Sequence, residues 1–267
     1  MRTGVFHSAI FAPVPVPIQE ILDELDRLLE PGRFTDYCFN GLQVPGPVEI
    51  GRIATGVSAN AELFAMAAAE DAELLLVHHG LFWGSGVTAL DPVLAARLRL
   101  LLEAEVALAA YHLPLDAHPK LGNNAQLAQA LGVGEPVAFG LVAGQPVGVL
   151  GRLPGEGMTV RDLVAAVAAA TSREPLVFDA GPEWVERVAI ISGAGADHLA
   201  EAAAAGAHAL VTGEPEERTR ALAQECGVHL IAAGHHATEI FGVRALGIHL
   251  ADRFDLAHVF LEVPNPV

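Results

Sequence analysis

A histidine and a glutamate four residues apart form the first candidate for chemistry in this sequence. Residues 234–239 read Gly-His-His-Ala-Thr-Glu and follow an apolar run, 228–233, that is typical of a buried strand. If a helix begins here, His235 and Glu239 lie on one face within reach of a common ion. Imidazole and carboxylate ligands suit a borderline divalent metal such as Zn, Fe or Mn. The same spacing is also typical of two solvent-exposed side chains that pair on the surface of a helix, so the rest of the chain must decide between the two interpretations.

Other histidines and carboxylates also follow apolar runs. Ligands bind beyond the carboxyl ends of the strands in a parallel sheet, so these side chains are expected to converge. Adjacent histidines on a strand point to opposite sides, but Gly80 permits a turn that brings His78 and His79 to one cluster. The collected set is His78, His79, His112, Asp116, His118, Glu214, His235, His236 and Glu239.

The number of ligands predicts more than one ion. Three or more imidazoles and two carboxylates exceed what one four-coordinate ion needs, and they suit two ions bridged by a carboxylate and a water. Such a pair activates the water as a nucleophile, which is the chemistry of metal-assisted hydrolysis. A further group must move protons, and the candidates are His112, His118, His236 and Glu214. Taken singly, each histidine could instead be a capping or surface residue.

The elements that must position these residues alternate along the chain. Apolar strands alternate with helices, which predicts a parallel sheet covered by helices. The middle of the chain differs, since it predicts a hairpin and holds no histidine or cysteine, so we expect it to serve architecture or oligomer contact. Strands are predicted at 52–57, 73–77, 106–110, 137–142, 147–153, 176–178, 188–191 and 207–211, and helices at 59–69, 92–104, 122–131, 159–170 and 196–205.

The two halves of the chain resemble each other. Residues 58–62 match 193–197, residues 72–77 match 207–212 without a gap, and 106–112 resemble 228–234. This indicates a diverged duplication, with two similar α/β lobes that point their strand ends at a shared cleft. The predicted divisions are an N-terminal extension at 1–16, a first α/β lobe at 17–131, and a second α/β lobe at 132–267 that includes the C-terminal metal-binding motif.

Composition limits the function classes. The 267 residues are 52% apolar and 18% charged, which is typical of a folded globular protein. A net charge of −17 with Lys120 as the only lysine disfavours nucleic-acid binding. No apolar run approaches the roughly 20 residues of a spanning helix, so no membrane partner is expected. Cys38 and Cys226 are too few for a disulfide framework, which favours the cytoplasm.

Several motifs together resemble the NIF3-like family, whose members are also called GTP cyclohydrolase 1 type 2 homologs. The resemblance covers the chain from about Ile18 to its end. The motifs that carry it are residues 40–44 (Asn-Gly-Leu-Gln-Val), 77–80 (Val-His-His-Gly), 112–119 (His-Leu-Pro-Leu-Asp-Ala-His-Pro), 121–124 (Leu-Gly-Asn-Asn), 212–214 (Thr-Gly-Glu), 234–239, and the ending 263–267 (Val-Pro-Asn-Pro-Val).

The resemblance implies a two-lobed α/β protein with a dinuclear metal site in the cleft between the lobes, assembled as a homohexameric ring. By motif, the metal ligands are His78, His79, Asp116, His235 and a bridging Glu239. The implied assignment places His79 and Asp116 on one ion, and His78 and His235 on the other. Some relatives carry a long extra domain in the middle of the chain, for which residues 135–180 are too few.

The activity remains a choice between hypotheses. The family name implies hydrolytic opening of a purine ring, but the sequence has no Walker-type phosphate loop and few basic residues near the motifs. The favoured hypothesis is a metal-dependent hydrolase of an unknown small molecule, with a nucleotide such as GTP among the candidates. The alternatives are a non-catalytic metal-binding regulatory or metal-insertion protein, and a protein whose metals only stabilise the lobe interface.

Overall fold

The computed structural model describes residues 14–84 and 89–267. The helices are α1 (Ile18–Leu29), α2 (Ala61–Ala69), α3 (Pro92–Glu103), α4 (Leu113–Ala117), α5 (Asn123–Ala130), α6 (Val160–Thr171), α7 (Leu199–Ala204), α8 (Thr219–Cys226) and α9 (His235–Phe254), with 3-10 turns at Pro31–Arg33 and Ala196–His198. The strands are β1 (Val16–Pro17), β2 (Gly41–Val44), β3 (Glu49–Ile50), β4 (Arg52–Ser58), β5 (Leu74–His79), β6 (Ala107–Ala110), β7 (Gly134–Val142), β8 (Gln145–Arg152), β9 (Met158–Thr159), β10 (Leu176–Phe178), β11 (Trp184–Val185), β12 (Arg187–Ile191), β13 (Ala209–Thr212), β14 (His229–Ala232) and β15 (Ala257–Phe260).

The first large sheet has the strand order β15-β4-β5-β6-β2. Strands β15, β4, β5 and β6 run parallel, and β2 pairs with β6 in the antiparallel direction. The side chains from Leu74 to Val77 are all fully buried, because helices cover both faces of this sheet. Helices α1 and α9 pack on one face, and α2 and α3 pack on the other.

The second large sheet has the order β10-β14-β13-β12-β8-β7. Its centre, β12-β13-β14, is parallel, whereas β10, β8 and β7 pair in the antiparallel direction. Helices α7 and α8 cover one face, and α5 and α6 cover the other. The predicted hairpin is confirmed as β7 and β8, whose tight connection contains Gly144 at a φ of +84°.

The prediction of two similar α/β lobes is confirmed, with one correction. Each lobe contains a β-α-β-α-β unit with three parallel strands: β4-α2-β5-α3-β6 and β12-α7-β13-α8-β14. The sheets are mixed rather than wholly parallel, because the hairpin and short edge strands add antiparallel partners to this core. Such edges are common on otherwise parallel sheets.

Helix α9 carries the chain from one lobe back to the other. It begins beyond the carboxyl end of β14, yet Val243, Leu246 and Leu250 belong to the core of the first lobe. After it, β15 pairs with β4 in the first sheet. The end of the predicted second lobe therefore lies physically within the first sheet, and the helix N-terminus lies between the lobes.

The predicted N-terminal extension is described only at its end. Residues 1–13 of the predicted N-terminal extension lie outside the described residues, while β1 at its end pairs with β3. Within the described part of the chain, no helix combines the length and apolar character that a membrane span requires.

Candidate metal centre

The candidate ligands come from strand ends in the first lobe and from the helix that joins the lobes. His78 and His79 are the last residues of β5, and Asp116 lies on the short helix α4 after β6. His235 is the first residue of α9, and Glu239 follows one turn later. The structure brings all five predicted metal ligands together, with contacts that link each of them to Glu239 or to His78.

Glu239 lies at the centre of the group. Its Oε1 is 3.6 Å from Nε2 of His78 and 3.2 Å from Nε2 of His235. Its Oε2 is 3.2 Å from Nε2 of His79. On the far side of His78, Oδ2 of Asp116 lies 3.5 Å from the same Nε2. Glu239 is only 3% exposed, so one buried carboxylate faces three imidazoles.

The two adjacent histidines reach one cluster by a different route from the predicted turn at Gly80. Strand β5 continues through His79, and the imidazole rings of His78 and His79 lie 4.6 Å apart at 44°. Helix α9 crosses the end of the strand and places Glu239 between the two rings. The position of α9 therefore brings both histidines into one cluster, and the chain does not need to turn at Gly80.

Four imidazoles around the cluster share one arrangement. In each, Nδ1 contacts an oxygen of the protein, which leaves Nε2 as the nitrogen available to an ion. The pairs are His78 with the Tyr111 carbonyl at 3.1 Å, His79 with the Ser58 hydroxyl at 2.9 Å, His112 with Asp36 at 2.9 Å, and His235 with Glu214 at 3.1 Å. Oxygen partners of this kind fix the ring orientation of metal-binding histidines.

The cluster contains polar atoms that suit a cation. Nε2 of His78 and Oε2 of Glu239 are buried without a hydrogen-bond partner among the described residues. Leaving such atoms unpaired costs about 1–3 kcal/mol each, and metal coordination removes that cost. Ligand atoms lie within 4.8 Å of one another in three groups: His78, His79 and His112; His79, His235 and Glu239; His78, Asp116 and Glu239. The donor set therefore fits divalent metal ions.

The three groups suggest how the candidate ligands would divide between two ions. By distance alone, His78 belongs with Asp116, and His79 belongs with His235. The oxygens of Glu239 give another division, because Oε1 faces His78 and His235 while Oε2 faces His79. The implied assignment, His79 with Asp116 and His78 with His235, agrees with the second division for His78 and His235 only, because Asp116 lies beside His78. The assignment stays a prediction.

The charges in the cluster depend on each other. Burial disfavours the charged form of His78, but Asp116 and Glu239 outweigh burial and raise its pKa to about 9. His235 is affected in the same way by Glu239, and its pKa is also raised to about 9. Burial and the neighbouring imidazoles lower the pKa of His79 to about 3. The imidazoles overcome burial at Glu239 and hold its pKa well below the usual range.

Asp36 is a site residue that the sequence analysis missed. Its carboxylate contacts Nδ1 of His112 and accepts hydrogen bonds from the backbone N–H groups of Cys38 and Leu113 and from the side chain of Asn40. Burial raises its pKa, but the contacts with His112 and Asn40 outweigh burial and lower it to about 2. The available signal was its position four residues before Asn40, which begins one of the family-like motifs.

The predicted proton-transfer residues lie in different places. His112 contributes to the cluster, and Glu214 contacts Nδ1 of His235. His236 faces a separate cavity of about 190 Å³ near the chain's end, and its Nε2 lies 4.0 Å from Glu262. His118 accepts backbone hydrogen bonds from Lys120 and Leu121, away from the cluster. Of the four, His112 and Glu214 are the two that the structure brings to the candidate centre.

A cavity of about 420 Å³ opens from the cluster and is the route by which a small molecule could reach it. The cluster contributes His79, His112, Asp116, His235 and Glu239 to its lining. A larger hollow of about 850 Å³ lies beside the Asp36 loop, but it holds none of the five candidate metal ligands.

Fold and site define a class: a two-lobed α/β protein with a buried cluster of histidines and carboxylates at the strand ends. The sequence profile of Duf34/NIF3 (NGG1p interacting factor 3) matches residues 16–266, so the chain belongs to this family. The "GTP cyclohydrolase 1 type 2 homolog" of Pseudomonas aeruginosa is 43% identical over 253 residues, which cover 94% of this chain and 99% of that protein.

Solved structures agree with this assignment. A structure described as "Structural genomics, protein ybgI, unknown function" is 39% identical, with a TM-score of 0.87 over 94% of this chain and all of that one. The crystal structure of TTHA1606 from Thermus thermophilus is 36% identical, with the same TM-score and the same coverage. The predicted family and fold class are thereby confirmed.

Proposed function

We propose that the cluster binds two divalent metal ions and that the protein is a metal-dependent hydrolase of a small molecule. The observation that carries the proposal is the shared orientation of four imidazoles, whose Nδ1 atoms are held by oxygens while the Nε2 atoms surround buried carboxylates. A structural ion needs no adjoining cavity, whereas this cluster lines one of about 420 Å³.

The ligands and the metal ions would have separate tasks. His78, His79, Asp116, His235 and Glu239 would hold the ions, and Glu239 is central because its Oε1 faces His78 and His235 while its Oε2 faces His79. Two divalent ions at this place would polarise the bond under attack and lower the pKa of a water molecule. Zn, Fe and Mn are all compatible with these ligands.

His112 is the proposed proton carrier. It lines the cavity, and the Asp36 carboxylate holds its Nδ1, so Nε2 can accept or deliver a proton. Glu214 orients His235 by contacting its Nδ1, a positioning role in place of the predicted catalytic one. His236 faces the other cavity, so we assign it no step.

The test begins with metal content and ends with turnover. Purified protein loaded separately with Zn²⁺, Mn²⁺ and Fe²⁺ should bind two ions per chain, which a metal-edge anomalous difference map would locate. A panel of amides, phosphoesters and purine compounds, GTP included, should then contain a substrate whose turnover is lost in Glu239→Gln. Glu262→Gln is the matched control, because Glu262 is an exposed carboxylate paired with Arg244. If no compound of the panel is turned over faster than by the metal-free protein, the hydrolase proposal is wrong.

One observation favours a second candidate, a non-catalytic metal-binding regulatory or metal-insertion protein. His235 is a partly exposed ligand, with 28% of its side chain accessible, so an ion there could pass to a partner. In that case bound Zn²⁺ should exchange with a chelating dye within minutes. Ions that stay bound for hours while a substrate turns over would exclude it.

The assembly and its surroundings are further proposals. We expect a homohexameric ring, which light scattering of the purified full chain can check. We also place the protein in the cytoplasm, in line with two cysteines that are both free thiols. The predicted lobe division at residue 131 can be tested by limited proteolysis of the loop after α5.

A further inference from the structure

The side chains that line the cavity beside the metal cluster indicate which kind of substrate it can bind. Its volume, about 420 Å³, lies within the roughly 300–1,000 Å³ of small-molecule sites. Beyond the cluster, one wall is aromatic and the facing wall is mostly aliphatic. An inference about the ligand of this cavity rests on the proposed function, because that ligand is taken to be the molecule on which the metal cluster acts.

Tyr37 and Trp83 form the aromatic wall. Their ring centroids lie 5.6 Å apart, and both rings lie close to His112, at 5.1 and 5.3 Å. The wall therefore continues directly into the metal cluster. Tyr37 is 58% exposed and Trp83 is 38% exposed, so aromatic surface remains free beside the candidate ions. Exposed aromatic rings of this kind provide large contact area for a planar partner.

Backbone hydrogen bonds hold this wall in place. Gly84 N–H donates to the carbonyl of Tyr37 at 2.6 Å, and Phe39 N–H donates to the carbonyl of Phe82 at 3.0 Å. The indole N–H of Trp83 donates to the carbonyl of Gly80 at 2.8 Å. The two loops are thus joined to each other before any ligand arrives. A fixed surface loses less conformational freedom on binding than a mobile one.

The facing wall is mostly aliphatic, and Asn124, Ser192 and His198 add polar groups to it. Its aliphatic side chains are Val142, Val147 and Ile191. The Nδ1 of His198 contacts Glu201 at 2.9 Å, which leaves Nε2 for a ligand. A flat molecule could lie between the aromatic and aliphatic walls and turn a polar edge towards His198.

The charge of the lining limits what the flat molecule can carry. No lysine or arginine is found among the described residues that line this cavity, and Asp116 and Glu239 contribute carboxylates to it. Tight recognition of phosphate groups usually employs arginine or lysine. A triphosphate would find no side-chain cation among these residues, so only the proposed metal ions, whose charge the carboxylates of the cluster partly neutralise, would balance its charge.

From these features we infer that the cavity takes a planar heteroaromatic ring without a polyphosphate, of the size of a purine base or nucleoside. The ring stacks on the wall of Tyr37 and Trp83, with a polar edge at His198 and the bond under attack towards the metal cluster. His198 thereby becomes a recognition residue that neither its spacing nor a strand end marked in the sequence.

Tryptophan fluorescence gives a direct test. Trp184 is not part of the cavity lining, and its indole N–H donates to the Glu156 carbonyl, so Trp184→Phe leaves Trp83 as the reporting indole. In this background, the Zn²⁺-loaded protein is titrated with hypoxanthine, guanosine, GTP, 1-methylindole and ribose. Hypoxanthine and guanosine should quench the emission of Trp83 saturably, ribose should not, and GTP should bind no more tightly than guanosine.

Two variants assign the contacts by calorimetric titration. Trp83→Leu should weaken binding of hypoxanthine at least about fivefold, as expected for loss of base stacking, while Trp83→Phe stays within about threefold of the parent. His198→Leu should weaken binding of hypoxanthine but leave binding of 1-methylindole unchanged, since 1-methylindole offers the Nε2 of His198 neither a donor nor an acceptor. Both variants should retain the parent's Zn²⁺ content, which shows that the cluster is intact.

The outcomes separate this inference from the proposed function. If Zn²⁺ binds but neither hypoxanthine nor guanosine does, the ring inference is wrong and the hydrolase proposal stands. If GTP binds more than about tenfold tighter than guanosine, the argument from missing cations is wrong. If Trp83→Leu binds hypoxanthine as well as Trp83→Phe does, the aromatic wall is not the binding surface. Failure to bind Zn²⁺ at all would overturn the metal-site proposal itself.

Discussion

The two lobes contain the same β-α-β-α-β unit but supply different parts of the candidate site. Strand ends of the first lobe provide His78, His79 and His112. In the matched segments of the second lobe, the corresponding residues are Gly213, Glu214 and Gly234. The same fold thus presents imidazoles in one lobe, and mostly glycine in the other.

Steric space explains the glycines. A Cβ at Gly213 would lie 2.7 Å from Cα of His235 and 2.6 Å from the carbonyl oxygen of Gly193. Gly193, which matches Ser58 in the first lobe, has a φ of +62°, and a Cβ there would overlap the Glu239 carboxylate. At these positions the second lobe has glycine, and the start of α9 occupies the space that a side chain would need.

The comparison also separates ligands from the groups that orient them. Ser58 holds His79 in the first lobe, while Glu214, at the position matching His79, holds His235. The same structural position therefore has a candidate ligand, His79, in the first lobe, and in the second lobe it has Glu214, which orients the candidate ligand His235. Substitutions in each lobe can test this division of roles.

The largest effect is expected for Gly193→Ala. A methyl group must displace the Glu239 carboxylate, and alanine at positive φ adds strain of about 1–2 kcal/mol. We expect Zn²⁺ affinity to fall at least about a hundredfold, and Tm to fall by several degrees. Competition with a chelating dye and thermal denaturation measure the two effects. Gly32→Ala is the control, because a Cβ there has open space. Unchanged Zn²⁺ affinity in Gly193→Ala would contradict the steric explanation.

Asp36→Asn should have the next largest effect. The amide keeps the shape but loses the charge that orients His112, and loss of such a partner typically costs about 10–100-fold in affinity or activity. Turnover with the substrate found by the panel is the primary measurement, and Zn²⁺ content is the second. Asp23→Asn, on the exposed face of α1, is the matched control. Full activity in Asp36→Asn would remove Asp36 from the site.

Ser58→Ala and Glu214→Gln should each have a smaller effect, about tenfold on Zn²⁺ affinity, because each removes or weakens one oxygen partner of a ligand histidine. Calorimetric titration of the two variants and of their combination tests whether the lobes act on separate ligands. Independent roles predict that the two losses add in free energy. A combined variant no weaker than either single variant would show that both residues act on one ligand.

The smallest effect concerns the cysteines, one associated with each lobe. Cys38 is buried in the first lobe, and burial raises the pKa of its thiol to about 11, whereas Cys226 at the end of α8 is partly exposed. Only the thiolate reacts rapidly, so iodoacetamide at pH 8 should modify Cys226 and spare Cys38. Peptide mass spectrometry gives the ratio, and Cys226→Ser is the control. Equal labelling would show that the Cys38 loop opens.

Much of the fold could be predicted, because the strands that carry it are short apolar runs whose burial shows in the sequence. Residues 72–77 and 207–212 do become corresponding strands, β5 and β13. The edge strands could not be predicted as well, since a few residues such as Gly41–Val44 pair in a direction set by their tertiary neighbours. Asp36 was missed for the same reason, because its partner His112 lies 76 residues away.

The sequence by itself determined which residue types follow each strand, and so it named all five candidate metal ligands that the structure brings together. Only the tertiary structure decided how those ligands meet. Helix α9 packs against the first lobe through Val243, Leu246 and Leu250, which places Glu239 between His78 and His79. The packing of α9 also turns His236 to a different cavity, while the fold of the second lobe places His198 across the cavity from the aromatic wall. The direction of a side chain at a helix start depends on where the whole helix packs, and that is a property of distant residues.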